Sequence, residues 1–414
     1  MSAEERTTFR PKNELITIEE ALNTIQRYLP PRSVFKVPLL QAVDMVLAEP
    51  IVAPEPSPRY TNSAMDGYAV RFADVENAGA DEPVQLTVIG ESRAGVPFQG
   101  TVKPGTAVEI STGAMLPEGA DTVVPVEDVR VSGDTIVVVK PVRQHQHVRF
   151  RGEEFAEGTE LLPAGVQVKP THIALLASLG VVEVPVYRPL RVAILVTGSE
   201  LVPPEKTPEP HQIRESNGVM LHAAVERSGG IPVYRTIVAD DPDATLEALQ
   251  RAMEHADVIL FSGGVSMGPH DHVKHATVQA GFEPVFWRVK QKPGKPLFFA
   301  VKGHQLVFGL PGNPVSAFMT YTYYVHPVLQ QAMGLPFAWK TRTVRLVAPL
   351  ENPLKRAHFV RLRTWEENGE WVGEPLQKQG SHMLTTVAHA NGFVKLDVGE
   401  GYRPGDTVQV FLFP

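Results

Sequence analysis

Apolar positions recur along the chain with two periods, and the places where one gives way to the other divide it into parts. Ile16 to Tyr28 shows helical spacing, with Thr17 as N-cap, Glu19 and Glu20 in the first turn and Pro30-Pro31 as a stop. A second short helix is predicted over Leu40 to Leu47. From Ile51 to Tyr60 the prolines 54, 56 and 58, with Pro50 just before, suit an extended connector at a boundary. Between Pro83 and Val142 strand-like runs take over: Gln85 to Ile89, Ala107 to Ser111, Thr122 to Pro125, Val129 to Val131 and Thr135 to Val139, parted by Gly and Pro turns. Helical patterning returns at Thr171 to Leu179, closed by Gly180, so the β unit reads as inserted into a helical domain.

From Arg191 to Leu335 the two periods alternate. Strands are predicted at Val192 to Val196, Val233 to Val238 and Val258 to Phe261, and helices at Gly218 to Ser228, Ala244 to His255 and Val273 to Ala280. Such βαβ repetition predicts a mostly parallel sheet covered on both faces. After Gly334 the runs Thr343 to Leu346, Phe359 to Thr364, Phe393 to Leu396 and Thr407 to Leu412 predict a small barrel or sandwich. The expected fold class is multidomain α/β plus β. Its predicted domains are 14–54 with 149–189 (helical and extended), 55–148 (inserted β), 190–336 (three-layer α/β) and 337–414 (C-terminal β barrel).

Composition narrows the chemistry. The 414 residues, 43% hydrophobic, are enough for two to four units with real cores. Cysteine is absent, which excludes disulfides, thiolate metal sites, Cys nucleophiles and iron–sulfur clusters. With 39 Lys+Arg against 46 Asp+Glu, the net charge of -7 has the wrong sign for a nucleic-acid binder, so any anionic ligand must be held locally. No apolar run is long enough for a membrane helix, and Met1 to Glu14 is charged with no apolar core, which points to the cytoplasm.

Ligands of open parallel sheets bind beyond the carboxyl ends of the strands. There the chain carries Thr197-Gly198-Ser199-Glu200-Leu201, and Ser262-Gly263-Gly264-Val265-Ser266-Met267-Gly268 followed by Asp271. Each alone is an ordinary tight turn. Two in one sheet, each with a carboxylate, favour a phosphate nest in which Glu200 and Asp271 hold a divalent cation. Neither fits the P-loop pattern. A third loop, Leu310-Pro311-Gly312-Asn313-Pro314-Val315-Ser316, opens a helix running to Met333, with Asn313 as N-cap and Pro314 at N1. Upstream, Lys290, Lys292 and Lys295 lie in a proline-bounded turn without an acidic neighbour, the best candidate for an oxyanion grip. His145, His147, His270 and His272 lack the convergent partners of a zinc site, and Arg149 to Glu154 reads as an ion network or a ligand rim.

In order along the chain, SAMDGYA (Ser63 to Ala69), STGAMLPEGAD (Ser111 to Asp121), RGEE (Arg151 to Glu154), TGSEL, SGGVSMG with Asp271, KPGKP (Lys292 to Pro296), LPGNPVS and QGSHML (Gln379 to Leu384) resemble the molybdopterin molybdenumtransferase family, which includes the E domain of gephyrin. The resemblance covers the chain from about Ile16 to its end. It implies an elongated four-domain homodimer whose cleft faces the α/β domain and is completed by the β domain of the other protomer. It also implies a reaction of adenylylated molybdopterin with molybdate, assisted by Mg²⁺, that releases AMP and the loaded cofactor. A molybdopterin adenylyltransferase would donate the substrate, and molybdoenzymes or their chaperones would accept the product.

The family's functional residues fall on Asp66, Thr112, Glu200, Asp271, Lys292, Lys295, Pro311, Pro314, Arg361 and Ser381, with Glu154 and Asp241 less directly. Glu200, Asp271 and Asp241 are the implied metal ligands. Thr197, Gly198, Ser199, Ser262, Gly263, Gly264, Ser266, Gly312, Asn313 and Ser316 complete the implied cofactor loops. Ser199 stands where many members have an acidic residue, which predicts weaker metal binding. Two other readings of the same fold are a molybdopterin-binding scaffold without turnover and a molybdopterin adenylyltransferase. Retained charged residues speak against the first, and the C-terminal β domain against the second.

Overall fold

The computed structural model describes residues 15–265 and 272–414, so Ser266, His270 and Asp271 lie outside the described residues. These residues form two compact units: Glu183–Pro414 together with the chain up to Ala48, and Glu49–Val182. Among the described residues no helix is long and apolar enough to cross a membrane.

The first unit opens with α1 (Ile18–Arg27), held by a capping box in which Thr17 and Glu20 exchange side-chain and backbone hydrogen bonds. Strand β1 (Val34–Pro38) follows. The helix expected over Leu40 to Leu47 is not formed. A single 3₁₀ turn spans Leu39–Ala42, Asp44 then takes a φ of 66°, and the chain turns back. The apolar residues after Asp44 serve pairing instead, with Leu47 bridged to Val186.

The second unit is built on a six-stranded mixed sheet of β2 (Gly67–Val70), β3 (Val84–Ser92), β4 (Thr106–Ile110), β5 (Thr122–Pro125), β6 (Val129–Ser132) and β7 (Thr135–Val138), in the order β5-β2-β4-β3-β7-β6. Strand β2 is buried on both faces, Tyr68 and Val70 in one apolar cluster and Ala69 in another. Helix α2 (Pro170–Ser178) precedes the return to the first unit.

There β8 (Glu183–Tyr187) pairs antiparallel with β1. A three-layer α/β domain follows: β9 (Arg191–Thr197), α3 (Asn217–Arg227), β10 (Ile231–Val238), α4 (Pro242–His255), β11 (Val258–Ser262), α5 (Val273–Gln279), β12 (Glu283–Trp287), β13 (Phe298–Lys302) and β14 (Gln305–Leu310). The sheet order is β10-β9-β11-β14-β13-β12, with β13 alone running against the other five strands. Alternate residues of β9 face opposite layers: Val192, Ile194 and Val196 pack with α1 and α3, and Ala193 and Leu195 with α4 and α5.

Helix α6 (Pro314–Thr320) widens into a π-helical turn at Tyr321–Val325 before α7 (His326–Ala332). Pro327 lies just beyond the turn and has no N–H to offer a regular helix there.

The chain ends in a ring of five strands: β15 (Thr341–Leu346), β16 (Ala357–Glu367), β17 (Glu370–Pro375), β18 (Gly392–Leu396) and β19 (Thr407–Leu412), with α8 (Leu384–His389) between β17 and β18. Pairings β16–β17, β17–β15, β15–β19, β19–β18 and β18–β16 close it into a barrel. Val344, Val360, Leu362, Val394 and Val410 fill one side of these strands, while Phe359 and Phe393 pack into the core of the α/β domain.

Candidate active site

Three loops leave the carboxyl ends of adjacent strands β9, β11 and β14 and line one cleft of about 960 Å³. Thr197, Gly198 and Glu200 come from the first, Ser262, Gly263 and Gly264 from the second, and Pro311, Gly312, Asn313, Pro314 and Ser316 from the third. The first two loops touch so closely that a Cβ on Gly263 would lie 2.7 Å from Thr197 Oγ1 and 2.8 Å from its carbonyl. With φ at 95°, only glycine fits there without strain.

Asn217, which begins α3, fastens the second and third loops together. Its Nδ2 donates to Ser262 Oγ at 2.9 Å and to the Gly312 carbonyl at 2.7 Å. Sequence reasoning missed this residue, because Asn at a helix start reads as a cap.

The lysine turn forms the cationic side of the cleft. Lys292 and Lys295 line it, and among the described residues neither is ion-paired. Arg356, which sequence reasoning missed, joins them on the wall. The carboxylates are Glu200, Asp240 and Glu215, the last already engaged by the Gly218 N–H and by Arg235. Glu200 folds back over Gly198, where a Cβ would fall 2.6 Å from its Oε2. Asp240 is held by Ser199 in both directions: Ser199 N–H donates to Asp240 Oδ2 at 3.1 Å, and Asp240 N–H donates to Ser199 Oγ at 3.0 Å. Its neighbour Asp241 is the N-cap of α4, its Oδ1 accepting from Ala244 N–H at 2.8 Å. Two adjacent carboxylates thus divide between capping and cleft.

Arg361 on β16 is completely buried, and burial pushes its guanidinium pKa down to about 10. Among the described residues its Nε and Nη1 have no hydrogen-bond partner, and Nη2 makes long bonds to the carbonyls of Lys378 and Gly380. The next residue, Ser381, lines the cleft. Its Oγ accepts from Asn313 Nδ2 at 3.1 Å and its carbonyl from Val315 N–H at 3.1 Å. This segment therefore joins the barrel strand to the start of α6.

In the second unit, Asp66 and Thr112 form a pair. Asp66 Oδ1 accepts from the Thr112 N–H at 2.6 Å and from its Oγ1 at 2.9 Å. These bonds hold the carboxyl below the usual range although it is fully exposed. Glu154 of the same unit accepts from Ser57 Oγ at 2.6 Å. Among the described residues no group of three or more His, Asp or Glu side chains is arranged to hold a metal, His145 and His147 included.

Known proteins share this arrangement. Residues 16–180 match the MoeA N-terminal region (domain I and II), 193–331 a probable molybdopterin binding domain, and 343–413 the MoeA C-terminal region (domain IV). Molybdopterin molybdenumtransferase 2 of Mycobacterium tuberculosis is 39% identical over 383 residues, 90% of this chain and 92% of that protein. The chain belongs to the molybdopterin molybdenumtransferase family. Another member, from Nostoc sp., is 35% identical over 387 residues, 91% of this chain and 88% of that protein. A molybdopterin biosynthesis MoeA protein from Pyrococcus horikoshii superposes with a TM-score of 0.86 at 31% identity, covering 97% of this chain and 100% of that one. As a molybdopterin molybdenumtransferase family member, the protein is a transferase of molybdenum cofactor biosynthesis.

Proposed function

We propose that the protein takes adenylylated molybdopterin and molybdate and releases AMP and the molybdenum-loaded cofactor, the last step of molybdenum cofactor biosynthesis. The observation that carries this reading is the composition of the cleft. On a chain of net charge -7 it gathers Lys292, Lys295, Arg214 and Arg356 with Glu200, Glu215 and Asp240, over three glycine-bearing loops.

Releasing AMP from a phosphoanhydride requires charge on the phosphoryl oxygens to be neutralised as the bond breaks. Lys292 and Lys295 do this from the turn, while backbone donors of the glycine loops orient the phosphate. Molybdate, a tetrahedral dianion, is received by the amide groups at the start of α6, with Ser381 and the unpartnered guanidinium edge of Arg361 behind them.

Glu200 and Asp240 offer hard carboxylate oxygens of the kind Mg²⁺ takes while keeping most of its waters, so the residues fit that ion. Glu200 and Asp271 would hold it, with Asp240, the cleft member of the Asp240–Asp241 pair, as a further ligand in place of the capping Asp241. When bound it supplies positive charge to the phosphate. Ser199 in place of a carboxylate leaves fewer anionic ligands, in keeping with weaker metal affinity. Thr112 fixes Asp66 in its ionised form for a role in the same reaction.

In this reading the chain has four domains: 14–54 with 149–189, 55–148, 190–336 and 337–414. It acts as a cytoplasmic homodimer, receives substrate from a molybdopterin adenylyltransferase and passes product to molybdoenzymes or their chaperones. The deciding experiment measures AMP released from adenylylated molybdopterin by the purified protein. Release is expected to need both molybdate and Mg²⁺, and its absence with both present would overturn the reading.

A further inference from the structure

Gln291 is a wholly buried amide beside the most cationic part of the cleft, and both polar atoms of its side chain are engaged. The turn it borders, Lys292-Pro293-Gly294-Lys295-Pro296, has two prolines and so lacks two of the N–H groups that normally knit a turn. Gln291 Nε2 supplies what is missing, donating to the carbonyls of Pro293 at 3.2 Å and Gly294 at 3.1 Å. Its Oε1 accepts from the hydroxyl of Tyr324, which is itself fully buried.

Tyr324 lies in the π-helical turn that interrupts the helix running on from α6. In a regular helix each residue advances by about 100°. The extra residue of a wide turn therefore changes which side chain meets Gln291. Thr320, one turn earlier, packs its methyl where Gly294 has no Cβ; an added Cβ would lie 2.3 Å from Thr320 Cγ2. The lysine turn is thus docked on the same helix whose first residues carry the third cleft loop.

We propose that Gln291 is a positioning residue that fixes the spacing of Lys292 and Lys295, and that the π-helical turn serves to bring the Tyr324 hydroxyl to it. This rests on the reading of those lysines as the cations that face the anionic substrate. Without the amide, the two carbonyls and the tyrosine hydroxyl lose their partners at once. The turn then opens, and the ammonium groups no longer converge.

The test compares the parent with Gln291→Met, which keeps the volume but none of the polar atoms, and with Tyr324→Phe, which removes one oxygen. Hydrogen exchange of peptides covering 290–297 is followed by mass spectrometry, and the affinity for AMP, whose phosphate the lysines would face, is measured by calorimetry. Exchange in this segment is expected to speed up about tenfold or more in Gln291→Met and by a smaller factor in Tyr324→Phe. Exchange at 258–262 stays unchanged, and AMP affinity falls in the same order. Parental exchange at 290–297 in folded Gln291→Met would overturn the proposal. Should that variant not fold, unchanged exchange in Tyr324→Phe would do so. A parent that shows this exchange pattern but releases no AMP would sink the functional reading and leave the positioning role standing.

Discussion

His326 is a side chain whose environment makes the fold sensitive to acid. It sits at the start of α7 with Nδ1 2.9 Å from Ser228 Oγ, and burial, helped by Lys340, lowers its pKa from 6.5 to about 4. The unfolded chain takes up the proton near pH 6.5 and the folded chain only near 4. Between those values the unfolded state binds more protons, so stability falls as pH drops through this window and levels off below it. A shift of that size is worth up to about 3 kcal/mol. His326→Gln retains a hydrogen-bonding group for Ser228 and is expected to flatten this acid limb, read from urea midpoints between about pH 4 and 7. A limb of unchanged steepness would assign it instead to His358, lowered to about 4 mainly by burial, with Lys292, Arg361 and Arg356 adding to the effect.

At the scale of elements, the Gly294 position shows how much one backbone conformation carries. Its φ is 87°, and the space a Cβ needs is filled by Thr320 and the amide of Gln291. Gly294→Ala is expected to destabilise its unit by about 2 kcal/mol, seen as an earlier urea midpoint, and an unshifted midpoint would mean the turn relaxes freely. Elements with strong periodicity are legible in the sequence: α1 with its capping box, α4, and the apolar strands β9 and β11. Those that depend on distant partners are not. Strands β1 and β8 contain Pro38 and Pro185 and pair with each other across a long stretch of sequence, with Leu47 also bridging β8. Strand β2 is four residues long and hidden behind the turn that carries Asp66. The short helix expected after Leu40 fails because Asp44 reverses the chain. In the site, the glycine loops and the lysine turn can be found from composition and strand ends. Asp240 cannot be told from Asp241, since helix capping takes one of two adjacent carboxylates and the sequence does not mark which. Asn217 and Gln291 act through loops far away in sequence or through a buried hydroxyl, and nothing local signals that.

For the whole molecule, the informative feature is where the chain leaves and re-enters its first unit. Ala48 N–H donates to the Pro185 carbonyl at 3.0 Å, so exit and return lie side by side. Within the second unit, Ile51–Val52 pairs with Glu160–Leu162, which ties its two ends together in the same way. A segment closed at both ends with its own apolar clusters should fold alone. Glu49–Val182 produced as a separate polypeptide is expected to give dispersed amide resonances, with the Thr112 amide still protected by Asp66; collapsed resonances would show that the unit depends on the rest of the chain. The barrel carries a different consequence, one concerning force. Its last strand, β19, is bonded to β15 along most of its length and to β18 at its carboxyl end, so a pull at Pro414 finds no free strand to unzip. Load applied at Pro414 must shear two sets of hydrogen bonds at once. A tether at this end of the protein therefore transmits tension into the barrel before it loosens any strand.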